Sequence, residues 1–376
     1  MQIRLLQLAV LLICLSGCID RHTNTPAFYV WKSKLSAEDA DTAYLNTLGV
    51  QKIYARMFDV DNKGNGAFPT ADYSPSSGNP DFQQEVVPVI FITNQTILQC
   101  PAADIEKLAR NCADRIDTVY RSHFNKLPNE YQFDCDWTVK TKENYFNFLK
   151  HIRKLRKGAL VSCTIRLHQI KFKDKTGIPP VDKGTLMYYA SSEPTDFENK
   201  NTILNNKDAA SYIKDVGSYP LHLDIALPLY SWGIVRNPFG QIKLINGIRQ
   251  ATIGAHPEYY KQTKEGVYNI LQSHYLGGVW VNKDYELKVE EVSPETLLEA
   301  AQLLQRKLRK ENREIIFYHL DKEILKQYST QQLTNIINAS HEIPETFYPH
   351  TRHSGDSLPL LRQRMRRRLL RLYELL

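Results

Sequence analysis

Cysteine is scarce in this chain, with six in 376 residues. Cys14 and Cys18 fall near the start, which leaves Cys100, Cys112, Cys135 and Cys163 for the body. Thiols this sparse, with no CxxC pair and no histidine-rich spacing, exclude a disulfide framework and offer no zinc site. Long apolar runs are wanting too. The one strongly apolar stretch, residues 5–15, is too short to span a bilayer, so the chain is not a multi-spanning membrane protein. Charge of one sign is modest, at a formal net of +7. No interleaving of basic and aromatic residues accompanies it, which argues against nucleic acid as a partner. With 42% hydrophobic residues, the composition is that of a folded protein rather than a disordered one.

The apolar stretch follows Arg4 and ends in Ser16-Gly17-Cys18. A positive start, a short apolar core and small residues at the end read as a secretory signal. Leu15-Ser16-Gly17-Cys18 further resembles a bacterial lipobox. That resemblance implies cleavage before Cys18, lipid on its thiol, and tethering to a membrane of the cell envelope, at the outer membrane or cell surface. The expected organisation is a leader over residues 1–17, a tether over 18–27, one large domain over 28–340 and a basic tail over 341–376. In the tail, Arg362, Arg364, Arg366, Arg367, Arg368 and Arg371 alternate with leucines. Such a helix lies on an anionic membrane or a partner, or packs on the body with its arginines solvated.

Periodicity predicts strands at residues 28–32, 51–60, 86–93, 130–137, 160–168, 185–190, 220–230 and 315–321, mostly separated by helices or long loops. Thr141 and Ser293 stand as caps before two of the helices, with Pro294 in the first turn of the second. Alternating strands and helices imply a parallel sheet with right-handed crossovers, and eight such strands suggest a closed (β/α)₈ TIM barrel, an α/β fold, with a C-terminal helical extension. The segment Gly277-Gly278-Val279-Trp280-Val281 reads as a hairpin, and it competes with the one around Ile315 for the eighth strand.

The strand at 130–137 is the one the rest is built around. Tyr131, Phe133, Cys135 and Trp137 share one face, while Gln132, Asp134 and Asp136 share the other. Two carboxylates about 6.6 Å apart on one face raise each other's pKa where water is scarce. The next strand repeats the division, with Ser162, Thr164, Arg166 and His168 on its polar side. In a barrel of this kind the active site gathers at the C-terminal ends of the strands. Lys32, Arg56, Asp136, Arg166, His168, Tyr189, Tyr230, Trp232, His319 and Asp321 would converge there. Aromatic rings among charged groups suit a polyhydroxylated ligand, whose C–H faces stack while its hydroxyls take hydrogen bonds.

Residues 132–137, Gln-Phe-Asp-Cys-Asp-Trp, resemble the DxDxDWE signature strand of chitinase-like glycoside hydrolases. Leu186-Met187-Tyr188-Tyr189 is similar to that family's Met-x-Tyr strand, and Ala226-Leu227-Pro228-Leu229-Tyr230 to its Gly-x-Pro-x-Tyr strand. Gly277-Gly278-Val279-Trp280 is similar to its last strand. The resemblance implies a carbohydrate substrate, no cofactor and no metal. It implies that Asp136 orients the substrate's acetamido group, that Asp134 modulates Asp136, and that Tyr230 holds the substrate. The family's proton donor follows the Trp, and that position here is Thr138. Either Asp136 serves as the acid with a second carboxylate, Glu193 or Asp321, or hydrolysis has been lost and a glycan-binding cleft remains. A third expectation is an envelope scaffold that holds a partner or membrane through its basic tail.

Overall fold

A computed structural model of the chain describes residues 22–32, 42–62, 67–70, 83–192, 194–195, 197 and 201–339. Cys18, Glu193 and the basic tail lie outside the described residues.

Eight parallel strands close into a barrel: β1 (Asn24–Val30), β2 (Lys52–Asn62), β3 (Glu85–Ile92), β4 (Glu130–Asp134), β5 (Leu160–Arg166), β6 (Lys183–Met187), β7 (His222–Pro228) and β8 (Arg313–Tyr318). Each pairs with its neighbours in chain order, and β1 pairs with both β2 and β8, so the sheet has no barrel edge. A short strand, Ala67–Thr70, folds back antiparallel on the end of β2.

Helices α1 (Ile105–Phe124), α2 (Lys142–Leu155) and α3 (Pro294–Lys307) lie outside the barrel. Their apolar stripes, such as Tyr145, Phe148, Leu149 and Ile152 on α2, meet the outward faces of the strands. Phe133 of β4 meets Phe148 edge-on, with centroids 5.1 Å apart. Ser293 caps α3 by accepting from the Thr296 N–H at 3.2 Å.

The eighth strand is the segment containing Ile315. Val279–Val281 is instead one arm of a two-stranded hairpin with His274–Leu276. The hairpin belongs to an antiparallel subdomain inserted between β7 and β8. The inserted sheet runs in the order Ile242–Asn246, Trp232–Arg236, Glu286–Glu290, Val267–Ile270, Tyr260–Lys264. The similarity of residues 277–280 to the last barrel strand therefore does not hold. That arm is three residues long, and its inward Val281 joins the subdomain's own core with Leu276, Ile245 and Leu287.

Inside the barrel, the N-terminal end is charged. Lys183 lies 2.9 Å from Asp224, 3.1 Å from Glu130 and 3.3 Å from Glu314, and Lys52 lies 2.8 Å from Glu314. Above this, the Tyr29 hydroxyl donates to Gln132 Oε1 at 2.6 Å and Gln132 Nε2 donates to Thr185 Oγ1 at 3.1 Å. The interior is thus a filled polar column rather than a pore, and its open end is the C-terminal mouth.

Candidate functional site

The two faces of the central strand separate as their alternation requires. Trp137 stacks on Tyr145 of α2 on the outside, while Gln132 and Asp134 point into the barrel. Asp134 is 2% exposed and accepts a hydrogen bond from Thr164 Oγ1 at 2.6 Å. Burial pushes its carboxyl up to about 6. The Arg166 guanidinium opposes that rise and the neighbouring Asp136 carboxylate adds to it.

Asp136 lies two residues beyond β4 and half-buried. The Arg166 guanidinium grips both its oxygens, donating through Nε to Oδ1 and through Nη2 to Oδ2, the latter at 3.2 Å. A fork of this kind fixes a carboxylate as an acceptor. Thr138, two residues on, is occupied in a turn: Thr141 Oγ1 accepts from its N–H at 2.8 Å, and its own hydroxyl accepts from the Lys140 N–H at 3.3 Å.

Two other mouth carboxylates are also paired. Arg56 binds both oxygens of Asp59 and sits 5.2 Å above the Trp31 ring. Asp321 lies 2.6 Å from Lys32 Nζ and caps the Lys322–Leu325 turn by accepting from the Glu323 and Ile324 N–H groups. Burial would raise the Asp321 carboxyl, but the Lys32 ammonium and those N–H donors hold it below the usual range.

Aromatic rings line the space between. Tyr318 at the end of β8 packs 5.7 Å from Trp31, from Tyr189 and from Tyr230. Trp31, Tyr230 and Tyr318 are partly exposed, and Tyr189 beneath them is 5% exposed. The Tyr189 hydroxyl is buried without a hydrogen-bond partner among the described residues. Burial drives its pKa well above the phenol range, so the group is a neutral donor.

Two expected mouth residues are placed differently. β5 ends at Arg166, where the Gln169 side chain accepts from the Arg166 N–H at 2.7 Å, and His168 falls in the short helix Leu167–Lys171 rather than on the strand. Trp232 is buried in the inserted sheet, 5.4 Å behind Tyr230, and its indole N–H donates to Glu290 Oε2 at 2.8 Å. His319 follows β8, its Nδ1 3.3 Å from the Leu320 carbonyl oxygen. Sequence reasoning missed Trp31 and Tyr318 as ring partners of Tyr230 and Tyr189. Their positions at the ends of β1 and β8 were the available signal. Among the described residues no three His, Cys, Asp or Glu side chains are grouped as a metal would need.

No protein-family model and no curated protein matches the chain. Among solved structures, it is similar to a chitinase from Chromobacterium violaceum, with a TM-score of 0.52 and 9% identity over 85% of this chain and 98% of that one. It is also similar to the spore cortex-lytic enzyme SleL of Bacillus cereus, with a TM-score of 0.51 and 12% identity over 87% of this chain and 76% of that one. At these identities the shared property is architecture: the chain has a chitinase-like, glycoside hydrolase-like (β/α)₈ fold.

Proposed function

We propose that this protein is a glycan-binding lipoprotein of the bacterial envelope, in which the hydrolase-like barrel serves as a receptor. The observation that carries this reading is the pairing of the mouth. The partly exposed rings of Trp31, Tyr230 and Tyr318 pack together, the two tyrosines against Tyr189, whose buried hydroxyl has no hydrogen-bond partner among the described residues. Of the described carboxylates nearby, Asp136, Asp59 and Asp321 are held by a cation and Asp134 is buried, while Asp61 at the end of β2 accepts from the Thr93 hydroxyl and the Asn62 N–H. Rings and a buried donor bind a sugar, whereas general acid catalysis needs a carboxyl that can hand over its proton at the glycosidic oxygen. Thr138 has none to give. In this reading Asp136 and Arg166 act as one unit toward sugar hydroxyls or an acetamido group, and the Cys18 lipid holds the barrel at the membrane.

One observation favours the second reading, glycosidic hydrolysis. The Asp134 carboxyl is pushed up to about 6, so a mildly acidic envelope would keep a proton beside Asp136. Hydrolysis would then run through Asp136 with Asp134 supplying that proton, and Glu193 or Asp321 as the second carboxylate. The names of the two similar structures, a chitinase and a spore cortex-lytic enzyme, point to amino-sugar polymers as the first ligands to try.

The test uses the chain from residue 19, offered chitin oligomers and peptidoglycan, alongside Asp136→Asn. Saturable binding without release of reducing ends, weakened at least tenfold in the variant, is the expected result. Turnover that the variant abolishes would replace the receptor with a glycosidase. Labelled fatty acid incorporation that persists in Cys18→Ser would remove the anchor.

A further inference from the structure

The formal charge of +7 conceals a strong segregation. Residues 140–175 hold eleven lysines and arginines against two acids, Glu143 and Asp174. Residues 359–376 hold six arginines against Glu374. The remaining residues carry 31 basic and 38 acidic side chains, so the body of the protein is acidic outside these two segments.

The first segment forms one flank of the barrel. Helix α2 buries Tyr145, Phe148, Leu149 and Ile152 and turns Glu143, Asn147, Lys150 and Lys154 outward, with Lys157 just past its end. Those positions recur at helical spacing and line a single stripe. The turn over residues 167–176 lies alongside, because Lys142 Nζ donates to the Lys175 carbonyl at 3.4 Å. It adds exposed Lys171 and Lys175, and Lys140 stands at the mouth end. The arginines of the segment are already matched: Arg153 with Asp182, Arg156 with Asp114 and Asp117, Arg166 with Asp136. The exposed lysines are not. Lys140, Lys150, Lys154, Lys157, Lys171 and Lys175 have no carboxylate within ion-pair distance among the described residues, and the nearest acids in sequence, Glu143 and Asp174, are themselves exposed.

We infer that this flank docks on an anionic phospholipid bilayer. Three features choose a bilayer over a polymer or a protein. The surface is the convex outside of a helix, with no groove to hold a chain. Its unmatched charges are lysines, flexible point charges suited to a plane of headgroups, rather than the planar forks that read one phosphate. Val139 and Leu160, both exposed, flank the stripe at its two ends and can enter the headgroup layer. Helix α2 spans roughly 21 Å along the barrel. Docking there lays the barrel on its side, so that the mouth opens parallel to the membrane instead of away from it. The inference is independent of whether the mouth binds or cleaves its ligand.

The test is co-sedimentation of the chain from residue 19, which contains every element described, with vesicles of phosphatidylcholine alone or with a third phosphatidylglycerol. The variant is Lys150→Gln/Lys154→Gln/Lys157→Gln, which keeps helix-forming residues on an exposed face. Expected are partition onto phosphatidylglycerol vesicles that weakens with salt, and a drop on the order of a hundredfold in the variant. Unchanged partition in a variant of unaltered melting temperature would overturn the inference and assign membrane binding to residues 359–376. Equal binding to neutral vesicles would overturn it also. So would tight capture by dextran sulfate with none by the vesicles, which would make the partner a soluble polyanion.

Discussion

At the scale of single residues, Tyr189 and Asp134 carry opposite signs of the same argument. A buried hydroxyl without a partner destabilises the fold by about 1–3 kcal/mol, and a ligand that reaches it supplies the missing hydrogen bond. Tyr189→Phe is therefore expected to raise the unfolding free energy by about 1 kcal/mol while weakening glycan binding by about tenfold. Chemical denaturation and a binding isotherm on one preparation check both halves. Gain in stability with unaltered affinity would remove Tyr189 from the site. Asp134 has a folded pKa above its unfolded one, so its contribution to stability is present below about pH 4 and lost as pH rises through about 6. Above that pH its ionised form destabilises the barrel by about 2–3 kcal/mol. Asp134→Asn keeps an acceptor for Thr164 and removes the charge. It is expected to be more stable than the wild type at pH 7.5 and to lose that advantage at pH 4, measured as denaturation midpoints across the range.

At the scale of elements, the barrel was legible where strands alternate or run apolar on both faces and helices intervene. The central strand's two faces are found as its alternation implies, because one face had to meet α2 and the other could only point inward. The inserted sheet was not legible. Its strands are only four or five residues long, the outer two, Ile242–Asn246 and Tyr260–Lys264, are mostly unburied, and the buried Glu286–Glu290 carries charged residues inside, so the apolar pattern is short and broken. The site was legible as a list of polar strand ends but not as pairs. Alternation aims Asp136 and Arg166 into one space; it does not show that they bind each other instead of a ligand. Nor could it show Glu290, which ties the inserted sheet to the loop that follows β6. Glu290 lies buried 2.6 Å from Lys288 and accepts from Trp232 Nε1 and, at 2.6 Å, from Thr202 Oγ1. Glu290→Ala removes the carboxylate that faces the buried Lys288 ammonium and is expected to destabilise the protein by about 3–5 kcal/mol. Adding Lys288→Met should return most of that loss, and an additive double mutant would refute the pairing.

At the scale of the whole molecule, charge is ordered along the barrel axis. The mouth end holds separate pairs, Arg166 with Asp136 and Arg56 with Asp59, around an aromatic centre. The N-terminal end holds a joined network in which Lys183 is shared by Asp224, Glu130 and Glu314. Burial raises the Asp224 carboxyl, but hydrogen bonding from His222 and the Lys183 charge outweigh it, and its pKa falls to about 2. A carboxyl whose folded pKa is depressed stabilises the fold above its unfolded value and loses that contribution as pH falls through the folded one. For Asp224 the window is about pH 4 to 2, and the loss is about 2–3 kcal/mol. It runs against Asp134, whose burden is lifted over about pH 6 to 4. The two ends of one barrel therefore respond to acid in sequence. Stability should first rise or hold as pH drops toward 4 and then collapse below it. In Asp224→Asn the collapse below pH 4 should be shallower from a lower plateau, while Asp134→Asn should flatten only the upper limb. Urea unfolding at half-unit steps from pH 2.5 to 7.5 separates these limbs. A single limb altered equally by both substitutions would mean that mouth and base titrate as one network rather than two.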